Sequence, residues 1–176
     1  MINVMFKNFD VSKHQSFIRT FWKNRFATPT IDILLPICGE DIDVLRNTWE
    51  GVKALQVRHG NTVKVTVLDD KDSTVANKLA DTFGFNYLVR PNRGEMKKAG
   101  NLKYGMSQTN GEFVIILDAD FRPHRDFILE LLPYMHDEKV GIIQSPQYFD
   151  TNKKMHDASP LQYGAGNIQL YFYKVI

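Results

Sequence analysis

The chain has 176 residues, 43% of them hydrophobic and 24% charged, a balance that excludes disordered, collagen-like and disulfide-scaffold classes. A net charge of +2 gives no argument for a nucleic-acid partner. The single cysteine, Cys38, excludes an internal disulfide and favours a cytosol-facing location.

The five histidines are scattered without zinc-ligand spacing. No apolar run approaches the roughly 18–20 residues needed to span a bilayer, and no signal-peptide pattern opens the chain. Residues 1–30 carry Lys7, Lys13, Arg19, Lys23 and Arg25 against Asp10 alone, a charge of +4. The other 146 carry 17 basic and 19 acidic residues, a charge of −2. The contrast sets a boundary near Thr28-Pro29-Thr30, with a basic lead-in over 1–30 and a domain over 31–176.

The lead-in has Phe17 and Phe21, and Ile18 and Trp22, at four-residue spacing, which predicts an amphipathic helix from about Ser12 to Phe26. Its apolar stripe either docks on the following domain or lies on an anionic membrane surface. Beyond the boundary, strand and helix patterns alternate. Ile31 to Leu35 is an apolar strand stopped by Pro36, and Asp41 to Leu55 is a helix with acidic residues in its first turn. Val63 to Leu68 is a β-branched strand closing on Asp69-Asp70. Ser73 to Phe83 is a helix ended by Gly84, and Phe85 to Val89 is a third strand. A helix over Lys98 to Ser107 precedes the most hydrophobic strand, Phe113 to Leu117, which closes on Asp118-Ala119-Asp120. A helix over Arg125 to Met135 and a fifth strand over Val140 to Gln144 follow. Ser159-Pro160 reads as a further helix start, and Ile168 to Ile176 is strongly apolar. Cys38 is expected to be a small buried filler.

Continuous apolar strands separated by helices predict a mostly parallel sheet buried on both faces, an α/β class. Ligands bind at the carboxyl ends of such strands. Here those ends hold Pro36 to Glu40, Asp69-Asp70, Asp118 to Asp120 and Gln144 to Pro146.

Three clusters carry chemistry. Asp118 and Asp120, at i and i+2 on a strand end, point to the same side. Two carboxylates about 6 Å apart repel by roughly 3 kcal/mol at an effective dielectric of 20. A divalent cation relieves this, and oxygen-only ligands suit Mg²⁺ or Mn²⁺; the plainer reading is a pair of solvated, helix-capping acids. Asp69-Asp70 can accept from a uracil imide or ribose hydroxyls, or is a plain turn. Arg93 to Asn101 sets Lys97 and Lys98 at a helix start beside Gly94, which suits a diphosphate, or is a solvated basic turn. The spacing is not that of a P-loop, and no histidine sits in a nucleophile setting.

Five stretches in order resemble the family 2 glycosyltransferases, and within them the cellulose-synthase-like branch of processive polysaccharide synthases. They are Ile33-Leu34-Leu35-Pro36-Ile37-Cys38-Gly39-Glu40, Val67-Leu68-Asp69-Asp70, Lys98-Ala99-Gly100-Asn101-Leu102, Ile116-Leu117-Asp118-Ala119-Asp120 and Gln144-Ser145-Pro146-Gln147-Tyr148-Phe149. Gln169 to Ile176 also resembles the helix that follows in that branch. The resemblance implies the Rossmann-like GT-A fold, a nucleotide-diphospho-sugar donor, usually a UDP-sugar, and a saccharide acceptor. It also implies Mg²⁺ or Mn²⁺. By matching position, Glu40, Asp69 and Asp70 would line the uridine, Lys98 would face the diphosphate, and Asp118 and Asp120 would hold the metal and donor sugar.

Two positions depart from the family pattern. Ile37-Cys38-Gly39-Glu40 stands where members often carry Thr-Tyr-Asn-Glu, and Lys71 replaces the glycine that often follows the acid pair. The family's Thr-Glu-Asp, which holds the catalytic base, and its Gln-x-x-Arg-Trp acceptor motif are absent. The chain is therefore expected to be the donor half of an inverting enzyme, incomplete at its C-terminus and inactive alone, whose full-length form sits at the cytoplasmic face of the cell membrane. The alternatives are a non-catalytic nucleotide-sugar sensor and a nucleotidyltransferase. The latter is disfavoured by the acidic Pro36 to Glu40 segment, where a basic Gly-rich loop would be expected.

Overall fold

The computed structural model describes residues 10–24 and 29–145. The expected features at Ser159-Pro160 and Ile168 to Ile176, and most of the Gln144 to Phe149 motif, lie outside them. The chain divides into two compact units, Arg25–Glu130 and a second formed by Met1–Asn24 with Leu131–Ile176.

The first unit is built on four strands: β1 (Ile31–Ile37), β2 (Val63–Asp69), β3 (Asn86–Leu88) and β4 (Phe113–Ile116). They form one sheet in the order β3-β2-β1-β4, and every pairing is parallel. The register aligns Ile31 with Val63 and Phe113, so β1, β2 and β4 start level and finish at the same end. All seven residues of β1 are buried, as a central parallel strand covered on both faces requires. The chain leaves β1 for β2 and β3 on one side, then returns to place β4 on the other. The strand order therefore reverses between β1 and β4, where an open parallel sheet forms its ligand crevice.

Asp32 is a charged residue inside β1, yet it is satisfied. Its Oδ2 accepts from Asn110 N at 3.0 Å and Gly111 N at 2.6 Å, tying the turn before β4 to the sheet. A side chain at Gly111 would reach that oxygen at 2.8 Å, so the contact needs glycine.

Local chemistry sets the helices, of which α1 (Val11–Lys23) belongs to the second unit. Helix α2 (Ile42–His59) starts where Asp41 caps Asp43 N at 2.8 Å and ends at Gly60. Helix α3 (Thr74–Phe83) has Ser73 as N-cap and ends on Gly84 in the left-handed region at φ 67°. Phe85 N then bonds Ala80 O at 3.0 Å, completing a glycine-terminated cap. Helix α4 (Lys97–Ser107) lies against β1 and β2. Helix α5 (Phe127–Leu131) buries Ile128 and stops early. The sequence pattern predicts a helix through Met135. Pro133 has no N–H for the next turn and clashes with the preceding one, so Leu132–His136 tightens into a 3-10 segment.

Two other expectations are corrected. Residues 140–144 form no strand; Val140 N bonds Asp137 O at 2.8 Å in a turn, and Ile142 is 89% exposed. A β-branched run becomes a strand only where a ladder partner exists. Cys38 is exposed and free, because β1 ends at Ile37, one residue before it.

In the second unit, helix α1 (Val11–Lys23) is capped by Asp10, which accepts from Lys13 N at 3.0 Å. It closes at Lys23 with Asn24 as its C-cap, and the predicted stretch at 25–26 lies outside the described residues. Its stripe meets the 3-10 segment: Phe17 packs on Tyr134 at 5.0 Å between ring centroids, Phe21 on His136 at 5.7 Å, and the Tyr134 hydroxyl lies 2.5 Å from His14 Nδ1. No helix among the described residues is long and apolar enough to cross a membrane.

The largest fully buried side chain is Trp49 on α2, edge-on to Phe83 and Phe85 at 6.0 and 5.9 Å. Its indole N–H has no hydrogen-bond partner among the described residues. Trp49→Ala should therefore cost about 3–5 kcal/mol, whereas Trp49→Phe should cost less than about 2 kcal/mol, since no hydrogen bond is lost. Urea unfolding of the two variants checks this; equal losses would mean that the indole nitrogen is engaged after all.

Candidate functional site

The carboxyl ends of β1 and β2 are joined by Asp70 N, which donates to Ile37 O at 3.0 Å. Glu40 folds back on its own turn, its Oε2 accepting from Cys38 N at 2.6 Å. Gly39 makes this turn at φ 95°, a conformation that disfavours any side chain. Asp69 is fully buried and accepts three hydrogen bonds: Lys71 N at 2.7 Å, Ser73 N at 2.8 Å, and the hydroxyl of Tyr87. It holds the 70–73 turn, in which Asp72 takes φ 63°, against the sheet. Burial, followed by the bond to Asp69, pushes the Tyr87 hydroxyl well above its ordinary pKa. Between these strand ends and the first turns of α2 and α3 lies a cleft of about 80 Å³, lined by Ile37, Gly39, Glu40, Leu45, Asp69 and Ser73.

Asp70 turns to the opposite task from its neighbour. Arg90 Nε donates to Asp70 Oδ1 at 2.6 Å and Nη2 to Oδ2 at 2.8 Å, with the two side chains 1% and 6% exposed. This is a bidentate guanidinium–carboxylate pair. The remaining guanidinium edge donates to Glu95 O at 2.6 Å and Lys97 O at 3.2 Å, and Gly94 N reaches Asp70 at 3.2 Å. One ion pair thereby pins the loop before α4, where Met96 and Lys97 hold φ 53° and 47°. Such conformations persist when surrounding contacts over-determine them. Arg90 is a residue that motif reading misses. The register nevertheless contains it: Leu68 faces Leu88, so two residues onward Asp70 and Arg90 leave adjacent strands together.

The next stretch serves the same loop. A side chain at Gly100 would sit 2.3 Å from Glu95 O and 2.4 Å from Arg90 Nη1. Asn101 is buried and donates to Leu68 O at 2.7 Å. Lys98 reaches across the sheet end and ion-pairs with Asp118, both side chains about half exposed.

Beyond β4, Leu117 N still bonds Leu34 O at 3.2 Å, and Phe121 N closes a turn on Asp118 O at 3.1 Å. The turn buries Leu117 and Ala119, leaving Asp118 partly exposed and Asp120 exposed. No three His, Cys, Asp or Glu side chains among the described residues gather into a ready-made metal cage.

The structure thus sets Glu40, Asp69, Asp70, Lys98, Asp118 and Asp120 at one end of the sheet, with Asp69 and Asp70 inside and the other four at its surface. A larger recess of about 510 Å³ lies elsewhere, where three-residue β3 leaves Val63 to Val65 of β2 uncovered. It holds none of these groups.

This architecture is that of the GT-A glycosyltransferases. A mannosyltransferase from Pyrobaculum calidifontis, solved with GDP-Man and Mn²⁺, superposes with a TM-score of 0.55 at 16% identity, covering 77% of this chain and 46% of its own. Glucosyl-3-phosphoglycerate synthase from Mycobacterium tuberculosis, solved with Mn²⁺, UDP-Glc and phosphoglyceric acid, superposes with a TM-score of 0.53 at 18% identity, covering 93% and 57%. The family model of glycosyl transferase family 2 matches residues 32–174, and the chain belongs to that family. Cellulose synthase 1 of Komagataeibacter xylinus is 34% identical over 122 residues, 69% of this chain and 8% of its own length. The UDP-forming cellulose synthase catalytic subunit of Xanthomonas axonopodis pv. citri is 30% identical over 147 residues, 77% and 20% respectively. The chain spans a fifth or less of the length of these two relatives.

The buried pair has a pH consequence. The Arg90 hydrogen bonds hold the Asp70 carboxyl below the usual range. A depressed folded-state pKa contributes stability that is present above the unfolded value, near ~3.9, and is lost as pH falls through the folded value. Asp70→Asn should therefore be less stable than wild type at pH 7, and the gap should narrow below about pH 4. Urea unfolding of both proteins across that range checks the sign; a constant gap would show that Asp70 carries no charge-dependent stability.

Proposed function

We propose that this chain binds the donor for an inverting glycosyl transfer, taking a sugar from a UDP-sugar for delivery to a saccharide acceptor such as a growing polysaccharide. The observation that carries the reading is the meeting of Glu40, the Asp69-Asp70 turn and the Lys98–Asp118 pair around the strand-order reversal of a family 2 sheet. UDP as the nucleotide draws support from the UDP-forming relative.

In this reading the uridine enters the cleft beside Glu40. Asp69 and Asp70 each accept three hydrogen bonds, which leaves each carboxylate one of about four acceptor positions for an imide or hydroxyl donor. Lys98 and the N-terminus of α4 face the diphosphate. Asp118 and Asp120 would hold Mg²⁺ or Mn²⁺. The donor set fits: both ligands are hard carboxylate oxygens, and Asp118 already takes an ammonium as a stand-in cation. When bound, a divalent cation would offset the charge gathering on the departing diphosphate, an effect of several kcal/mol.

The same donor-side residues would equally serve a second reading, a nucleotide-sugar sensor. Both readings expect UDP to bind the 176-residue chain about tenfold tighter with Mn²⁺, 1.4 kcal/mol. Asp120→Ala should remove that gain at little cost in stability, because Asp120 is exposed. Calorimetry showing the same UDP affinity with and without metal would sink the site assignment. A radiolabelled UDP-sugar should give no transfer from this chain, since general-base catalysis is worth about 10²–10⁴-fold. Multiple turnovers would place a base within these residues.

We also propose that the whole protein works at the cytoplasmic face of a membrane, with Lys13, Arg19 and Lys23 of α1 set toward anionic lipid. Each basic residue near such a surface contributes about 1 kcal/mol. Co-sedimentation with anionic but not neutral vesicles, lost in high salt, is expected; binding indifferent to lipid charge would overturn it.

A further inference from the structure

We propose that Lys98 and Asp118 form a latch that couples donor binding to metal binding. The inference rests on the donor-site reading above and concerns its order of assembly. Lys98 is assigned to the diphosphate and Asp118 to the cation, yet with neither ligand bound the two side chains neutralise each other. Lys98 occupies Asp118 as an internal cation, so it is not available to an incoming diphosphate. A divalent cation arriving at Asp118 displaces the ammonium, and the released Lys98 turns to the phosphates.

The geometry makes the exchange easy. Both side chains are near the surface, 53% and 40% exposed, so neither loses a buried environment on parting. The site's other fixed pair behaves oppositely: Arg90 and Asp70 are almost wholly buried and locked by bidentate bonds and backbone carbonyls. Lys98 sits in the first turn of α4, directly after the loop that Arg90 pins, so its backbone stays in place while its four-carbon stem swings. An exposed ion pair is worth up to about 1 kcal/mol, a factor of about five. That is enough to bias the site without blocking it.

A double-mutant cycle in metal-free buffer, with UDP as the ligand, tests the latch. Asp118→Asn frees Lys98 without metal and should tighten UDP about threefold. Lys98→Gln bares the Asp118 carboxylate and should weaken metal-free UDP binding, and the double variant, with neither charge, should return close to wild type. Metal-free UDP affinity that Asp118→Asn leaves unchanged would overturn the latch. So would a double variant that binds metal-free UDP as tightly as Asp118→Asn does, because the gain would then owe nothing to Lys98.

A second arm uses Mn²⁺ alone and needs no nucleotide. Lys98→Gln should bind Mn²⁺ tighter by a clearly larger factor than Lys97→Gln, which removes a neighbouring charge that makes no such pair among the described residues. Equal factors overturn the latch. If UDP binds no variant even with Mn²⁺, the donor reading falls, and the Mn²⁺ arm still decides whether Lys98 guards Asp118.

Discussion

A guanidinium buried at the end of a sheet needs a partner for nearly every donor, and the loops around the site are arranged to provide them. Arg90 has five N–H groups; two go to Asp70 and two to the carbonyls of Glu95 and Lys97. Burying an ion pair is costly unless its geometry is good and its remaining hydrogen-bonding groups are met. Those conditions dictate the local backbone. Gly94 must bring its N–H to Asp70, Met96 and Lys97 must turn through left-handed conformations, and position 100 must lack a side chain. The entry angle of α4, and with it the position of Lys98 opposite Asp118, follows from how Arg90 is satisfied.

Stiffness is graded across the site. Asp69 and Asp70 are internal fastenings, one holding the turn after β2 and the other the loop before α4. Glu40, Lys98, Asp118 and Asp120 stand on the surface of what those fastenings hold. A precise site is served by locked supports behind adjustable contact groups. The parallel register contributes as well, because β1, β2 and β4 start level, run the same way and bring their loops to one crevice without long insertions.

Much of this was legible because it is encoded locally. The apolar runs at Ile31 to Leu35 and Val63 to Leu68 are strands, the Ser73 and Gly84 punctuation bounds α3, and the acids at the strand ends fall together as a parallel sheet requires. What escaped depends on partners distant in sequence. Asp69 and Asp70 read as one unit because they are adjacent, yet alternation sends one to Tyr87 and the other to Arg90. The Lys98–Asp118 pair spans 20 residues, and no spacing rule covers it. The run at 140–144 has strand composition but no ladder among the described residues, and Pro133 ends a helix whose apolar period continues past it.

In the proposed reading, the charge at the crevice is how an acidic strand-end cluster would suit an anionic donor. Glu40, Asp118 and Asp120 would repel a diphosphate if they stood alone. The buried acids add little to that repulsion, since Asp70 is matched by Arg90 and Asp69 already accepts from two backbone N–H groups and the Tyr87 hydroxyl. The uncompensated negative charge is therefore concentrated at the β4 turn, where Lys98 meets one carboxylate and leaves Asp120 in solvent. A single mobile ammonium cannot serve that carboxylate and a diphosphate together. In the reading proposed above, a second cation beside Asp118 and Asp120 would complete the charge balance, and carboxylate oxygens suit a hard divalent ion there.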